Sequence, residues 1–159
     1  MRIRVLAVGK VKEKFYRQAI EEFQKRLSRY CKLEILEVAD EKTPDRAGER
    51  TVELIKEREG ERLLKHICGQ DYVCALAIEG KQPDSMALAD MIKHLEVGGT
   101  SSITFIIGGS LGLSKRVLKR ADFLLSFSNL TFPHQLMRVL LLEQIYRSYR
   151  IISGAPYHK

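Results

Sequence analysis

The sequence has few cysteines and no long apolar run. Its three cysteines, an odd number without close pairing, argue against a disulfide framework, and no His or Cys stands at the spacing that a metal site needs. No apolar stretch approaches the ~20 residues of a membrane helix, and the start MRIRVLAVGK lacks the longer apolar region of a signal peptide. We therefore expect a cytoplasmic protein with no metal and no membrane partner.

The composition that remains is typical of a globular protein. A chain of 159 residues with 45% hydrophobic and 30% charged residues is long enough for one domain, so we expect a single domain over residues 1–159. The net charge of +7 suits a polyanion such as nucleic acid. The basic residues gather in small groups: Lys10, Lys12, Lys14, Arg17; Lys25, Arg26, Arg29; Lys115, Arg116, Lys119, Arg120; Arg138, Arg147, Arg150.

Apolar patterns alternate between strand and helix along the chain. Short β-rich runs predict strands at 3–8, 32–38, 71–78, 103–109 and 122–128. The segments between and after them predict helices at 12–30, 49–67, 85–97, 114–121 and 132–152. We expect Phe15 on the buried face of the first helix, Asp84 or Ser85 and Ser114 as caps, Gly60 as a weak point and Gly154 as the final stop. This order predicts an α/β fold, with a mostly parallel sheet and helices on both faces.

Ligands of such sheets bind beyond the carboxyl ends of the strands. The residues that follow predicted strands are 9–10, 79–80, 108–112 and 128–132. The segment IIGGSLGL (106–113) holds Gly108, Gly109 and Gly112, but its spacing is that of neither a P-loop nor a dinucleotide fingerprint. Taken alone, it fits a simple turn as well as a ligand-binding loop.

The stretch SFSNLTFPHQLMR (126–138) leads from the last strand into the last helix. Thr131 is a candidate cap, Pro133 fits the first turn, and His134 lies near the helix N-terminus, where the dipole lowers the pKa of a histidine. The alternative is a rigid helix start with His134 as a surface residue.

The last helix is apolar over most of its circumference, which requires burial on more than one side. We infer a homodimer with this helix at the interface; the alternative is that more of the chain folds over it. The apolar residues are Leu136, Met137, Val139, Leu140, Leu141, Leu142, Ile145, Tyr146, Tyr149, Ile151 and Ile152.

Several segments together resemble one known family. They are IIGGSLGL, LSFSNLTFPHQLMRVLLLEQIYRSYRI, the terminal PYHK, the N-terminal IRVLAVGKVKEKFYRQAIEEFQKRL and the central EREGERLLKHI. These segments resemble the RlmH family of ribosomal RNA large-subunit methyltransferases in the SPOUT superfamily. The resemblance covers essentially the whole chain, and LTFPHQLMRVLLLEQIYR is its most specific part.

The resemblance implies a fold, a cofactor and a substrate. Family members thread their C-terminal segment through a loop to form a deep trefoil knot, an exception to the rule that chains avoid knots. The knot forms the pocket for S-adenosylmethionine. Members are homodimers that methylate N3 of a pseudouridine in 23S rRNA of the assembled ribosome.

Carried over by position, the resemblance also implies site residues. The cofactor pocket would use Leu76, Gly108, Gly109, Phe127, Ser128, Asn129, Leu130, Thr131 and Phe132. The candidate catalytic residues are His134, Arg138, Tyr157 and His158. A base tuned toward neutral pH would assist loss of the N3 proton, which nominates the histidines.

Alternatives remain open for Tyr157, Arg138 and Arg147 and for the function. Tyr157 could instead stack on the base, and Arg138 and Arg147 could bind phosphate or pair with Glu143. A phosphoryl transferase is disfavoured because the chain lacks a P-loop lysine and an acidic metal pair. A non-catalytic ribosome-binding protein remains the alternative function.

Overall fold

A computed structural model describes all residues, 1–159. Five strands alternate with five helices, as the sequence predicts. The elements are β1 (Arg2–Val8), α1 (Lys14–Leu27), β2 (Lys32–Val38), α2 (Glu49–Leu64), β3 (Tyr72–Lys81), α3 (Ser85–Val97), β4 (Ser102–Ile107), α4 (Lys115–Arg120), β5 (Phe123–Leu125) and α5 (His134–Ile152).

The five strands form one sheet in the order β2-β1-β4-β3-β5, and every pairing is parallel. In the register, Arg2 of β1 lies opposite Lys32 of β2 on one side and Ser102 of β4 on the other. All six residues of β4 are buried, as expected of a central strand in a sheet covered on both faces. The predicted fold class is confirmed.

Alternate residues of the central strands supply two cores, one on each face of the sheet. On the first face, Ile3, Val5 and Ala7 pack in a cluster with residues of α1, α3 and α5. On the second face, Leu6 and Val8 pack with residues of α2 and α4. Helices therefore cover both faces. Because every pairing is parallel, all strand carboxyl ends lie at one edge of the sheet.

Three of the predicted helix-end residues, Asp84, Ser114 and Gly154, have the predicted role. The Asp84 carboxylate accepts the N–H of Ala87 at 2.8 Å, and the Ser114 hydroxyl accepts that of Val117 at 3.3 Å. Gly154 has a φ of +69°, and its N–H donates to Ile151 just past the end of α5. The expectation for Phe15 is wrong: its side chain is 61% exposed.

The start of α5 differs from the prediction. The helix begins at His134, Pro133 occupies the capping position, and no side chain caps it, so Thr131 is not the cap. Pro133 has no N–H to satisfy and its φ is already −56°, so the helix can begin there without a side-chain cap.

The ends of β3, β4 and β5 also differ from the prediction, and β4 stops at Ile107, two residues before its predicted end. β5 stops at Leu125, three residues before its predicted end. β3 continues to Lys81 instead of ending at Ile78, and its register shifts so that both Leu76 and Lys81 lie opposite Leu125. Residues 77–80 therefore bulge from the sheet.

Helix α5 lies on the sheet between α1 and α3, which bury Leu141, Leu142 and Ile145 completely. Part of its apolar surface is thus covered by the chain itself, whereas Leu136 and Leu140 are only half-buried and do not pack against this core. The homodimer and the trefoil knot stay predictions. None of the five helices has the length and apolarity needed to cross a bilayer.

Candidate active site

A cavity of about 810 Å³ opens at the carboxyl ends of β3, β4 and β5, beside the first turn of α5. Its walls are the end of β3, the turn between β4 and α4, and the loop between β5 and α5. Of the predicted cofactor residues, it brings together Leu76, Gly108, Gly109, Phe127, Ser128, Leu130, Thr131 and Phe132. Asn129 is the one that does not line it.

The turn after β4 presents backbone N–H groups without acceptors. One hydrogen bond, from the N–H of Gly112 to the carbonyl of Gly109 at 3.1 Å, closes it. Gly109 and Gly112 pair as a short antiparallel bridge, and the N–H groups of Ser110 and Leu111 make no hydrogen bond within the chain. Gly112 has a φ of +87°, which favours glycine. Successive free N–H groups in a turn form a binding place for an anion or another acceptor.

The loop after β5 is shaped by its own polar side chains. The Ser126 hydroxyl donates to the carbonyl of Ser128 at 3.1 Å, and the Leu130 N–H donates to the Ser128 hydroxyl at 3.0 Å. The Asn129 side-chain oxygen accepts from Gln82 at 3.0 Å, which explains its position outside the cavity. These bonds fix the loop while the backbone groups of Phe127 and Phe132 remain free for a ligand.

His134, the first residue of α5, lines the same cavity. Its Cε1 atom lies 3.5 Å from the place that a Cβ on Gly9 would occupy, and its Nδ1 atom is buried without a partner. Burial lowers the pKa of His134, Arg138 lowers it further, and Asp40 partly opposes them. His134 is therefore neutral at pH 7, mainly because of burial, whereas the sequence had suggested the helix dipole.

Arg138 lies one turn further along α5, is buried and does not line the cavity. Its Nη2 atom donates to the carbonyls of Gly9 at 2.7 Å and Val8 at 3.3 Å, and its Nη1 atom pairs with Glu37. These partners occupy both terminal nitrogens. In this structure Arg138 therefore holds the start of α5 against the ends of β1 and β2 and offers neither of these nitrogens to phosphate.

The C-terminal tail lies against the later part of α5. The Tyr157 hydroxyl donates to Glu143 at 3.2 Å, and the Arg147 Nε also donates to Glu143, at 3.0 Å. The Arg147 guanidinium lies 4.7 Å from the centre of the Tyr157 ring, and its Nη1 lies 3.3 Å from Nδ1 of His158. The alternative in which Arg147 pairs with Glu143 is thus confirmed.

The structure separates the candidate catalytic residues into two places. Arg147, next to Tyr157 and His158, lies thirteen residues beyond His134 on the same helix, which is roughly 20 Å at 1.5 Å per residue. Neither Tyr157 nor His158 lines the cavity of its own chain.

Sequence reasoning missed several residues that line the cavity: Lys56, Ala77, Ile78, Leu118 and Met137. Ser110 and Leu111 also line it, and both belong to the segment 108–112 that the sequence places after a strand. Met137, three residues after His134, could have been found from helix periodicity. No group of three or more His, Cys, Asp or Glu side chains is placed to hold a metal ion.

Comparison with known proteins identifies the family. Residues 1–158 match the family model described as "Predicted SPOUT methyltransferase". The chain is 62% identical to "Ribosomal RNA large subunit methyltransferase H" of Bifidobacterium adolescentis and 56% identical to the protein of that name from Clostridium botulinum strain Kyoto, each over 100% of both chains.

Among solved structures, the tRNA (m1G37) methyltransferase from Aquifex aeolicus superposes with a TM-score of 0.52 at 14% identity, covering 100% of this chain and 74% of that one. This likeness bears on the fold alone. The family model and the full-length relatives go further: the chain belongs to the SPOUT methyltransferase family.

Proposed function

We propose that this chain is an S-adenosylmethionine-dependent methyltransferase that modifies N3 of a pseudouridine in 23S rRNA of the assembled ribosome. Residues 1–159 would form one methyltransferase domain that works in the cytoplasm. The main structural support is the cavity at the strand ends, whose two loops keep their backbone hydrogen-bonding groups free. The full-length relatives named as large-subunit rRNA methyltransferases supply the substrate class.

The residues around the cavity suit S-adenosylmethionine. Adenine needs an apolar slot with a few main-chain donors and acceptors, and Leu76 with the loop Phe127–Phe132 provides both. The free N–H groups of the turn that begins at Gly108 and Gly109 suit the carboxylate of the methionine part. The cofactor would supply the sulfonium methyl group that is transferred.

The chemistry left to the protein is positioning and proton removal. N3 of the base must lose its proton as it attacks, and the attacking nitrogen must lie in line with the methyl group. Neutral His134 at the wall of the cavity is the residue best placed to accept that proton. Arg138 would keep His134 in place through its bonds to the end of β1.

The remaining candidates, Tyr157 and His158, would act across a homodimer. Their partners Glu143 and Arg147 lie roughly 14 and 20 Å along α5 from His134 in their own chain, so Tyr157 and His158 cannot complete that chain's cavity without leaving these contacts. A second copy packed through α5 would bring its tail to the cavity. The half-buried apolar residues of α5 provide a surface for that contact.

The decisive experiment incubates purified protein with ribosomes and labelled S-adenosylmethionine. We expect label in 23S rRNA, at N3 of one pseudouridine, and cofactor binding by calorimetry. Absence of both label and cofactor binding would remove the proposal. Binding to ribosomes without any labelling would favour the alternative, a non-catalytic ribosome-binding protein, for which the net charge of +7 is the supporting observation.

A further inference from the structure

Two adjacent residues of α2, Glu59 and Gly60, are buried although neither lines the cavity. They lie on the face of α2 that also buries Ile55 and Leu63, where a carboxyl group is out of place among apolar side chains. Burial of a carboxyl group costs free energy unless the group is hydrogen-bonded or paired with a charge. Burial raises the pKa of Glu59, and the N–H of Glu41 and the charge of Arg62 oppose that effect.

Glu59 packs against the glycine turn of the cavity. A Cβ placed on Gly109 would lie 3.2 Å from its Oε1 atom, 3.3 Å from its Oε2 atom and 3.2 Å from a methyl carbon of Val8. The same Oε2 atom accepts the N–H of Glu41 at 3.0 Å. Gly109 thus packs closely against the Glu59 carboxyl group, which the N–H of Glu41 holds in place, and against Val8 at the end of β1.

Gly60 makes the neighbouring contact at the other end of the turn. A Cβ at this position would overlap the hydroxyl of Ser114, the cap of α4, and would lie 3.1 Å from Val117. The absence of a side chain therefore lets α4 approach α2 closely, and the residue that weakens the helix in isolation serves this contact. Two successive residues of α2 touch the first and last parts of the segment 108–114.

The turn needs such support because its own bonds are few. The pairing of Gly109 with Gly112 alone closes it, and the N–H groups of Ser110 and Leu111 have no acceptor within the chain. Donors bind a ligand well only if their directions are fixed in advance by packing around them.

We infer that Glu59 is a positioning residue of the proposed cofactor site: packed beside Gly60, it holds the turn 108–114 in the shape that presents its N–H groups to the ligand. This inference rests on the proposed function, because the ligand it names is the methyl donor. The shape and hydrogen bond of the Glu59 side chain matter here, and its charge does not act on the cofactor.

Two variants separate shape from charge. Glu59→Asp keeps the charge and withdraws the carboxyl group from Gly109, whereas Glu59→Gln keeps the length and an acceptor for Glu41. Affinity for S-adenosylhomocysteine, measured by titration calorimetry, should fall about ten-fold in Glu59→Asp and by less than about three-fold in Glu59→Gln. Leu27→Ala, in α1 on the opposite face of the sheet, is the control for lost stability: its melting temperature should fall without loss of affinity.

The outcomes distinguish the two proposals. If the wild-type chain does not bind S-adenosylhomocysteine, the proposed function fails. If the wild-type binds and Glu59→Asp binds equally well, only the role of Glu59 is wrong. A loss in Glu59→Gln as large as that in Glu59→Asp, or in Leu27→Ala as large as either, would also overturn it, because charge or general stability would then be the cause.

Discussion

At the scale of single residues, His134 makes the pH dependence of methyl transfer a test of its role. Burial places its pKa below the ordinary 6.5, so the neutral form that accepts a proton persists to a lower pH than in a free histidine. We expect kcat to fall only below pH 6.5. Replacement by Asn should lower kcat by about 10² to 10⁴-fold and abolish this acid limb.

A control must separate protonation of the site from acid unfolding. Because the folded state has the lower His134 pKa, the unfolded state binds the proton more readily, and stability falls as the pH drops from above 6.5 through the folded value. Circular dichroism at each pH shows whether the protein stays folded. An acid limb that persists unchanged in His134→Asn would assign it to another group.

Loss of the Arg138 side chain should lower the free energy of unfolding, because Arg138 links α5 to the ends of β1 and β2. Its side chain is only 3% exposed and bonds Glu37 and two carbonyl groups, so Arg138→Ala leaves buried acceptors without a donor. We expect a loss of about 3 kcal/mol in the free energy of unfolding, measured with denaturant. Arg26→Ala, which breaks the exposed Arg26–Glu22 pair, should cost below about 1 kcal/mol; equal losses would contradict this account.

Individual site residues differ in how far the sequence reveals them. Gly108, Gly109 and His134 follow from the rule that ligands bind beyond strand carboxyl ends. The partner of Arg138 does not, because Glu37 is 101 residues away and only the parallel pairing of β1 with β2 brings it near. The sequence does not predict the contact of Glu59 with Gly109 either, because the two residues are far apart along the chain.

At the scale of elements, the sequence predicts boundaries that depend on local signals and does not predict those that depend on tertiary contacts. The bounds of α3 and β2 were predicted to the residue, since a cap and an alternating pattern are local. The ends of β3 and β5 were not, because the bulge between them depends on close approach: a Cβ on Gly80 would lie 2.6 Å from the carbonyl oxygen of Leu124. No local pattern reports that contact.

The C-terminal tail offers a test that separates binding from transfer. Deleting residues 156–159 removes Tyr157 and His158 but no residue that lines the cavity. We expect unchanged affinity for S-adenosylhomocysteine and loss of methylation of ribosomes. A truncated protein that methylates at the normal rate would show that the tail has no part in the reaction.

At the scale of the whole molecule, the incompletely covered side of α5 predicts the oligomeric state. Leu140 is half-buried although it lies in the middle of this helix, so Leu140→Glu should place a charge in the proposed interface. We expect light scattering to show a dimer for the wild-type and a monomer for the variant, with methylation lost. Val97→Glu is the matched control, because Val97 is an apolar residue that is 81% exposed on α3. A Leu140→Glu variant that remains dimeric would exclude α5 as the interface.

The order of strands in the sheet also has a consequence for how the protein is made. The first strand to leave the ribosome, β1, lies inside the sheet, and its neighbour β4 begins at Ser102, opposite Arg2. At a synthesis rate of roughly 5–20 residues per second, β1 waits on the order of 5 to 20 s for that partner. During this time Ile3, Val5 and Ala7 lack the cover that α5, the last helix to be synthesised, provides. A chaperone that shields the nascent N-terminal half should therefore raise the yield of folded protein more than one that acts after release.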